Sequence, residues 1–318
     1  MTWSGKVDAN YVALLDRRMR RYQRFPAAMT NAPAHKLTPL AAEVLLQAVV
    51  RDAISIIRQN RSKYEVIPKA DGSGEMTDLT TTADLAAQSL YSDRLRAYFP
   101  GCGFLAEEGS KTMSHARYTA ALAMYFTVDP LDGTKAFTRG QSHGVATMIA
   151  LIQAGKVVAA YVGDVNTQEI YGYGPKTDVP LRYFPDTPTV PLQPRPRPLI
   201  ETYVLLREPP DAYTPLARGM LGRFKSYEVC GGSIGCFMAR LWKGEVGAVL
   251  IPKGNTTPWD LMPVRGISDA LGFVFFRQIW NDGWEVWPLE SARALYPTPL
   301  CHDVLVIHER DAGALELL

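Results

Sequence analysis

The sequence predicts a mixed fold of α-helices and β-strands, of the α/β (α+β) class. One observation is a capped helix start at Thr38-Pro39, followed by apolar residues at helical spacing. A second is a series of short β-branched and aromatic runs in the later chain, separated by turn residues. With 318 residues, 47% of them hydrophobic, the chain is long enough for one large core or two fused subdomains.

Two helices are predicted near the start of this pattern. Thr38 is the expected cap of the first, which runs to about Asn60, and Thr82 is the expected cap of the second, which runs to about Tyr98. Asp84 then lies in the first turn of the second helix. The apolar residues of the first helix that we expect to face the core are Leu40, Val44, Leu45, Ala48 and Ile56.

The strands follow. Residues 124–128 form an apolar run that ends where Asp129-Pro130 begins, and residues 145–152 and 157–162 indicate a hairpin. Further strands are predicted at 169–173, 203–206, 246–251 and 304–307, and further helices at 234–242 and 259–271.

The charge balance argues against a polyanionic partner. Lys and Arg number 34 against 32 Asp and Glu, so a nucleic-acid polymer is not expected. There is no signal-peptide pattern and no apolar run near the length of a membrane span, which favours a cytoplasmic protein without a membrane partner. Residues 1–36 form an arginine-rich extension, interpreted either as a solvated cap or oligomer contact, or as a phosphate-binding or nucleic-acid-binding arm.

Acidic residues occur in four clusters, each at the end of a predicted element. Carboxylates placed in this way converge on a cleft, and hard divalent cations such as magnesium take oxygen ligands. The four clusters are Asp78 and Asp84 in DLTTTAD, Glu107 and Glu108 in LAEEG, Asp129 and Asp132 in VDPLDGT, and Asp260 in PWDLMP.

The VDPLDGT segment is the most informative of the four. A strand that leads into Asp-Pro-Leu-Asp aims the carboxylates of Asp129 and Asp132, with the Leu131 carbonyl, at one point. Gly133 and Thr134 then offer backbone N–H groups to a phosphate, and the Thr134 hydroxyl lies near a nucleophile.

These motifs, in this order, resemble those of the inositol monophosphatase family, within the lithium-sensitive, metal-dependent phosphatase superfamily. The resemblance runs from about Thr38 to the C-terminus. It implies a layered αβαβα sandwich of the inositol monophosphatase / fructose-1,6-bisphosphatase type over residues 37–318, with a metal-site half at 37–180 and a substrate half at 181–318. It also implies two or three Mg²⁺ ions and a homodimer.

The resemblance also assigns roles to individual residues. Asp84 would pair with Thr134 to orient the attacking water, with Glu107 assisting. The first metal would be held by Glu107, Asp129 and the Leu131 carbonyl, and the second by Asp129, Asp132 and Asp260. The substrate or its phosphate would be contacted by Asp132, Gly133, Thr134, Gly232, Ser233 and Asp260. Whether Lys69, His143 or Lys253 line the site stays open.

Other phosphate-transfer classes fit poorly. A cysteine-dependent phosphatase needs Arg six residues after its Cys, where CGGSIGC has Cys236. A phosphoaspartate phosphatase needs one residue between its two Asp, where this chain has Pro130 and Leu131. A kinase of the P-loop class needs a G-x-x-x-x-G-K-[ST] motif, which is absent from the sequence.

The substrate is predicted only as a small phosphorylated metabolite. Gly247 and Ile251 stand where family inositol phosphatases carry hydroxyl-binding carboxylates, and Lys253 offers a partner for a second anionic group. Inositol 1-phosphate is the nominal substrate, with histidinol-phosphate phosphatase and 3′(2′),5′-bisphosphate nucleotidase as alternatives. A catalytically silent binding or regulatory homologue is the alternative of another class.

Overall fold

The structure is a computed structural model that describes residues 38–69, 78–100, 102–108, 124–177, 179–194, 196–279, 283–288 and 298–317. The predicted extension at residues 1–36 lies outside these ranges. No helix within them combines the length and the apolar character needed to cross a bilayer.

Two helices form the first layer: α1 (Pro39–Asn60) and α2 (Thr82–Tyr98). The predicted cap of α1 is confirmed, because the Thr38 hydroxyl accepts the Ala41 N–H at 3.1 Å. The cap of α2 is Thr81 and not Thr82. Thr81 has extended backbone angles, and its hydroxyl accepts from the N–H groups of the first turn.

The predicted core face of α1 is wrong at three of its five residues, whereas Leu45 and Ile56 are half-buried. Leu40 and Val44 are 49% and 55% exposed, and Ala48 is exposed as well. Both sides of this helix carry apolar residues, so helical spacing alone selects either side. The side that packs on the first sheet consists of Ala42, Leu46, Val49, Val50, Ala53, Ile54 and Ile57.

The second layer is a seven-stranded sheet in the order β3-β4-β5-β6-β7-β8-β9. Strands β3 and β4 are parallel, and the remaining neighbours are antiparallel. A short hairpin of β1 (Val66–Lys69) and β2 (Asp78–Thr81) lies before it in the chain. The seven strands are β3 (Gly103–Ala106), β4 (Met124–Asp132), β5 (Ala146–Gln153), β6 (Lys156–Asp164), β7 (Ile170–Tyr173), β8 (Leu181–Tyr183) and β9 (Val190–Pro191).

The third layer consists of two helices, α5 (Ile234–Trp242) and α6 (Pro258–Ala270), between the two sheets. A buried cluster joins Met148 and Val162 of the first sheet to Phe237 of α5, Ile267 of α6 and Val306 of the second sheet. The bounds of α5 agree with the sequence prediction, and α6 begins one residue earlier than predicted. A short helix, α3 (Thr134–Thr138), follows β4.

The fourth layer is a six-stranded sheet in the order β11-β10-β12-β17-β14-β15. Its strand β10 runs parallel to both β11 and β12. The strands are β10 (Tyr203–Leu206), β11 (Ser226–Val229), β12 (Ala248–Ile251), β14 (Phe273–Ile279), β15 (Gly283–Val286) and β17 (Val304–His308), and β13 (Gly254–Thr256) pairs separately with β16 (Thr298–Leu300).

The fifth layer covers the outer face of this sheet with α4 (Pro215–Gly219), α7 (Glu309–Ala312) and short 3₁₀ segments. The layers therefore follow the predicted αβαβα order. Strands β8 and β9 complete the first sheet, so this sheet continues past residue 180 to Pro191.

Candidate active site

The end of strand β4 carries a β-bulge that brings two carboxylates together. Asp129 pairs with Met148 and Asp132 with Ala146, so three steps along β4 match two along β5. Residues three apart in a regular strand point to opposite faces, and the extra residue restores a common side. Pro130 lacks an N–H for the ladder, which suits a bulge.

Asp260 joins this pair from helix α6. Thr257 caps α6, and its hydroxyl donates to Asp260 Oδ2 at 2.7 Å. Asp129, Asp132 and Asp260 each offer a carboxylate oxygen within 4.8 Å of the others, and the two on β4 are buried. The structure thus brings together three of the predicted metal ligands.

Glu107 lies at the edge of this group. It follows β3, which is parallel to β4, and its N–H donates to the Val128 carbonyl at 3.2 Å, so it is the lateral neighbour of Asp129. Its carboxylate lies 2.5 Å from the Lys69 ammonium. Lys69 therefore belongs to the site, a point that the sequence left open.

Lys69 also contacts Glu108 at 2.8 Å, and Glu108 accepts a hydrogen bond from the Thr80 hydroxyl. The side-chain amide of Gln88 on α2 donates to the Glu108 carbonyl and accepts the Glu108 N–H. Gln88 thereby fixes the turn that carries both glutamates. A single Gln inside a helical pattern gave no indication of this role in the sequence.

Asp84 and Thr134 form the predicted pair. Thr134 Oγ1 lies 3.1 Å from Asp84 Oδ1 and 3.1 Å from the Leu131 carbonyl oxygen, so two acceptors compete for its single proton. Asp84 is held in turn by the Thr81 N–H at 2.8 Å and by the Thr81 hydroxyl. This capping box locks Asp84 to the start of α2.

Asp132 is held by the first turn of α5. It accepts hydrogen bonds from the Ser233 hydroxyl at 2.5 Å, the Ile234 N–H at 3.1 Å and the Gly235 N–H at 2.8 Å. Ser233 is fully buried, and its oxygen also accepts the Cys236 N–H. The expected substrate contact through the Ser233 side chain is therefore replaced by a contact that orients Asp132.

Burial of these carboxylates raises their pKa values. Burial raises the pKa of Glu107 to about 8 against the opposing effect of Lys69, and burial together with Glu107 and Asp260 raises the pKa of Asp129 well above its usual range. Burial likewise raises the pKa of Asp132 to about 6, although the Arg207 guanidinium opposes the shift. The pKa of Asp84 rises to about 6, chiefly through burial. The site is short of positive charge.

This donor set fits magnesium. Asp129, Asp132 and Asp260 supply only oxygen ligands, as magnesium prefers, and their mutual repulsion would be relieved by a divalent cation. Glu107 and the Leu131 carbonyl lie beside this group as further oxygen donors.

The remaining predicted residues fall into two groups. Gly133 and Gly232 both have positive φ and pack tightly around Gly144, whose carbonyl accepts the Ser233 N–H at 2.9 Å. A Cβ at Gly133 or Gly232 would come too close to the Gly144 carbonyl oxygen, which explains the glycine at both positions. By contrast, His143 and Lys253 are exposed.

The position of Gly247 gives little information about the substrate. Gly247 precedes β12, at the end opposite to Ile251, and a Cβ there would overlap the Thr202 side chain. Arg207, which the sequence analysis did not single out, lies instead at the carboxyl end of the neighbouring strand β10 and acts electrostatically on Asp132. A charged residue directly after the apolar run VLL was the available signal.

Comparison with known proteins agrees with this geometry. The model of the inositol monophosphatase family matches residues 41–279. The 3′(2′),5′-bisphosphate nucleotidase CysQ of Escherichia coli K12 is 29% identical over 229 residues, which cover 70% of this chain and 83% of that protein. The inositol-1-monophosphatase of Rhizobium meliloti is 31% identical over 128 residues, 40% of this chain and 45% of that protein.

Solved structures share the fold. The suhB protein of Bartonella henselae superposes with a TM-score of 0.64 at 19% identity, over 86% of this chain and 96% of that one. An IMPase/NADP phosphatase complexed with Mg²⁺ and phosphate gives a TM-score of 0.61 at 19% identity, over 84% and 90% of the two chains.

Proposed function

The chain belongs to the inositol monophosphatase family and is a phosphoric monoester hydrolase, and on this premise we propose that it uses magnesium and water to hydrolyse a small phosphate monoester. The observation that carries the proposal is the convergence of Asp129, Asp132 and Asp260 within 4.8 Å of one another. Glu107 and the Leu131 carbonyl complete the proposed ligand set.

Magnesium at this position would supply a water of lowered pKa and neutralise charge on the phosphate and leaving oxygen. The residues of the chain would orient and deprotonate the water and bind the phosphate. Asp84 draws the Thr134 proton towards itself, which leaves the lone pairs of Thr134 free to accept a proton from the attacking water. Glu107 assists from the adjacent strand end, and the N–H groups of Gly133 and Thr134 receive the phosphate.

No group in this scheme acts as a covalent nucleophile. The two residues that separate Asp129 from Asp132 and the competing hydrogen bonds of Thr134 support direct attack by water. Detection of an acid-labile phosphoenzyme would contradict this scheme.

Inositol 1-phosphate is the nominal substrate, and a 3′(2′),5′-bisphosphate nucleotide is the second candidate. The second is favoured by the greater reach of the similarity to CysQ, 70% of this chain against 40% for the inositol-1-monophosphatase. Histidinol phosphate remains a third candidate. A catalytically silent homologue is set aside, because Asp129, Asp132 and Asp260 are all present and converge.

Phosphate release tests this function. Purified protein would be incubated with inositol 1-phosphate, histidinol phosphate, fructose 1,6-bisphosphate and 3′-phosphoadenosine 5′-phosphate, with magnesium and with chelator. We expect turnover of at least one ester, only with magnesium, and loss of turnover in D129N. D211N, at an exposed residue of the outer layer, is the matched control. No release from any ester, or activity retained in D129N, would contradict the proposal.

The proposal also covers the number of metal ions, inhibition, oligomeric state and cellular location. We propose two or three magnesium ions per chain, inhibition by lithium, a homodimer and a cytoplasmic location, all of which rest on the family. Light scattering on the full chain measures the dimer directly, and titration of activity with lithium measures the inhibition.

A further inference from the structure

Arg207 lies where three parallel strands of the second sheet end together. Leu206 pairs with Val229 of β11 and with Leu250 of β12, so Arg207 follows β10 at the level of Cys230 and Ile251. In parallel sheets the crevice outside the carboxyl ends is the usual place for ligands. The segment after β11 continues to Ser233, which binds Asp132.

The backbone of Arg207 is firmly anchored. Its N–H lies 3.2 Å from the Leu250 carbonyl and 2.9 Å from the hydroxyl of Tyr213. Tyr213 is buried, receives the next N–H of the chain at 3.2 Å and donates its own proton to Leu250 at 2.9 Å. The position is therefore set before any ligand arrives.

One side-chain nitrogen of Arg207 lacks a partner. Among the residues that the structure describes, the buried Nη1 has no hydrogen-bond partner and the side chain makes no ion pair. The guanidinium carbon lies 6.0 Å from the ring of Phe237, one turn along α5 from Ser233. A buried donor without a partner costs stability, so such a group calls for a ligand.

We propose that Arg207 contacts the substrate and selects phosphate esters that carry a second anionic group, separate from the ester bond that is cut. This inference rests on the proposed function. The acidic cluster and Thr134 account for the reacting phosphate, whereas Arg207 lies near Phe237 of α5, the helix whose first turn holds Asp132. A guanidinium fork matches a phosphate or carboxylate better than a hydroxyl.

The exposed Lys253, two residues beyond β12, adds positive charge at the same strand ends. Its side chain reaches solvent, whereas Arg207 is anchored and partly buried. Arg207 is therefore the residue that fixes the position of the second anion, and Lys253 contributes to attraction at longer range.

Matched esters test the proposal. Adenosine 3′-phosphate and 3′-phosphoadenosine 5′-phosphate share the ester bond and differ by one phosphate, and fructose 1-phosphate and fructose 1,6-bisphosphate form a second pair. For the wild-type chain we expect kcat/KM to be about 10- to 100-fold higher for the doubly anionic member of at least one pair. In R207Q this ratio falls towards one, mainly through KM.

R218Q removes the same charge from an exposed residue of α4 and should leave the ratio unchanged. R207K should restore part of the wild-type ratio of kcat/KM values. Equal loss of kcat/KM for both members of a pair in R207Q would overturn the proposal, because Arg207 would then act only on Asp132 or on the reacting phosphate. Absence of a wild-type preference would overturn it as well.

Direct binding separates this proposal from the proposed function. Calorimetry with 3′-phosphoadenosine 5′-phosphate and with fructose 1,6-bisphosphate measures affinity without turnover. If no ester is hydrolysed, the proposed function fails, yet tighter binding of one of these probes to the wild type than to R207Q still supports the role of Arg207. If neither probe distinguishes the two proteins, the role of Arg207 fails even where hydrolysis is observed.

Discussion

The Ser233 hydroxyl donates to Asp132 Oδ2 at 2.5 Å, although the two residues are 101 positions apart in the chain. Through this bond the first turn of α5 sets the orientation of a carboxylate at the end of β4. The contact joins the first sheet to a helix of the third layer at the proposed metal site. Its removal should therefore affect both metal binding and fold stability.

For S233A we expect the magnesium concentration at half-maximal activity to rise by about 10-fold, as for other partners of metal ligands. The free energy of unfolding should fall by about 1–2 kcal/mol, because a buried hydrogen bond to a carboxylate is lost. Kinetics at varied magnesium and denaturant unfolding measure the two effects. S226A, at an exposed residue of β11, is the control, and an unchanged magnesium requirement in S233A would contradict the assigned role.

The Asp84–Thr134 pair leads to a second prediction. T134A removes the group that orients the attacking water, so kcat should fall by about 10²- to 10⁴-fold with little change in KM. T134S keeps the hydroxyl and should retain most of the activity. T138A in the same short helix, where the hydroxyl donates to the Lys135 carbonyl at 3.1 Å, is the control. Comparable loss in T134S and T134A would show that the methyl group, and not the proton, matters.

The raised carboxylate pKa values predict a pH dependence of stability without metal. The pKa of Asp84 and of Asp132 is about 6, and that of Glu107 is about 8, above the values of about 4 in an unfolded chain. Between about pH 4 and pH 8 the folded state therefore holds more protons than the unfolded state, so this contribution to stability is lost as the pH rises.

In chelator, we expect Tm to fall by several degrees between about pH 5.5 and pH 8.5. Magnesium should reduce this fall, because it binds the ionised carboxylates of the folded state. Calorimetric scans across the pH series measure both slopes. A metal-free Tm that rises over this range, or equal slopes with and without magnesium, would contradict the prediction.

Two glycines that flank α3 form a matched pair for a fourth prediction. Gly133 and Gly140 both have positive φ, at 90° and 66°, but a Cβ at Gly133 would overlap the Gly144 carbonyl oxygen, whereas a Cβ at Gly140 meets nothing within 4 Å. G140A should cost only the backbone strain, about 1 kcal/mol, and G133A more than about 3 kcal/mol. Denaturant unfolding compares them, and equal losses would contradict the packing argument.

The sequence predicted the elements well where local patterns determine them. The bounds of α1 and α5 follow from a capped start and from helical spacing, and both are confirmed. The buried face of α1 was assigned wrongly because Leu40 and Val44 are as apolar as the residues that pack. Only the packing of α1 against the first sheet and α2 decides between the two faces.

The acidic residues of the site and their grouping were predictable, but the contacts that support them were not. Asp129, Asp132 and Asp260 stand out by type and by motif, and the structure brings them together. The contacts of Lys69 with the two glutamates and of Ser233 with Asp132 join distant segments, so no local pattern reports them. Arg207 follows the apolar run VLL, but only the pairing of β10 with β11 and β12 shows that it lies at the ends of three parallel strands.

The bulge in β4 also constrains how the gene can change. Since one additional residue returns Asp129 and Asp132 to the same side, regular pairing of this segment at its present length would send one carboxylate to the opposite face. Sequence changes that straighten β4 here would therefore separate the two carboxylates without replacing either of them. Leu131 is constrained as well, because its carbonyl accepts from the Thr134 hydroxyl and its side chain is fully buried.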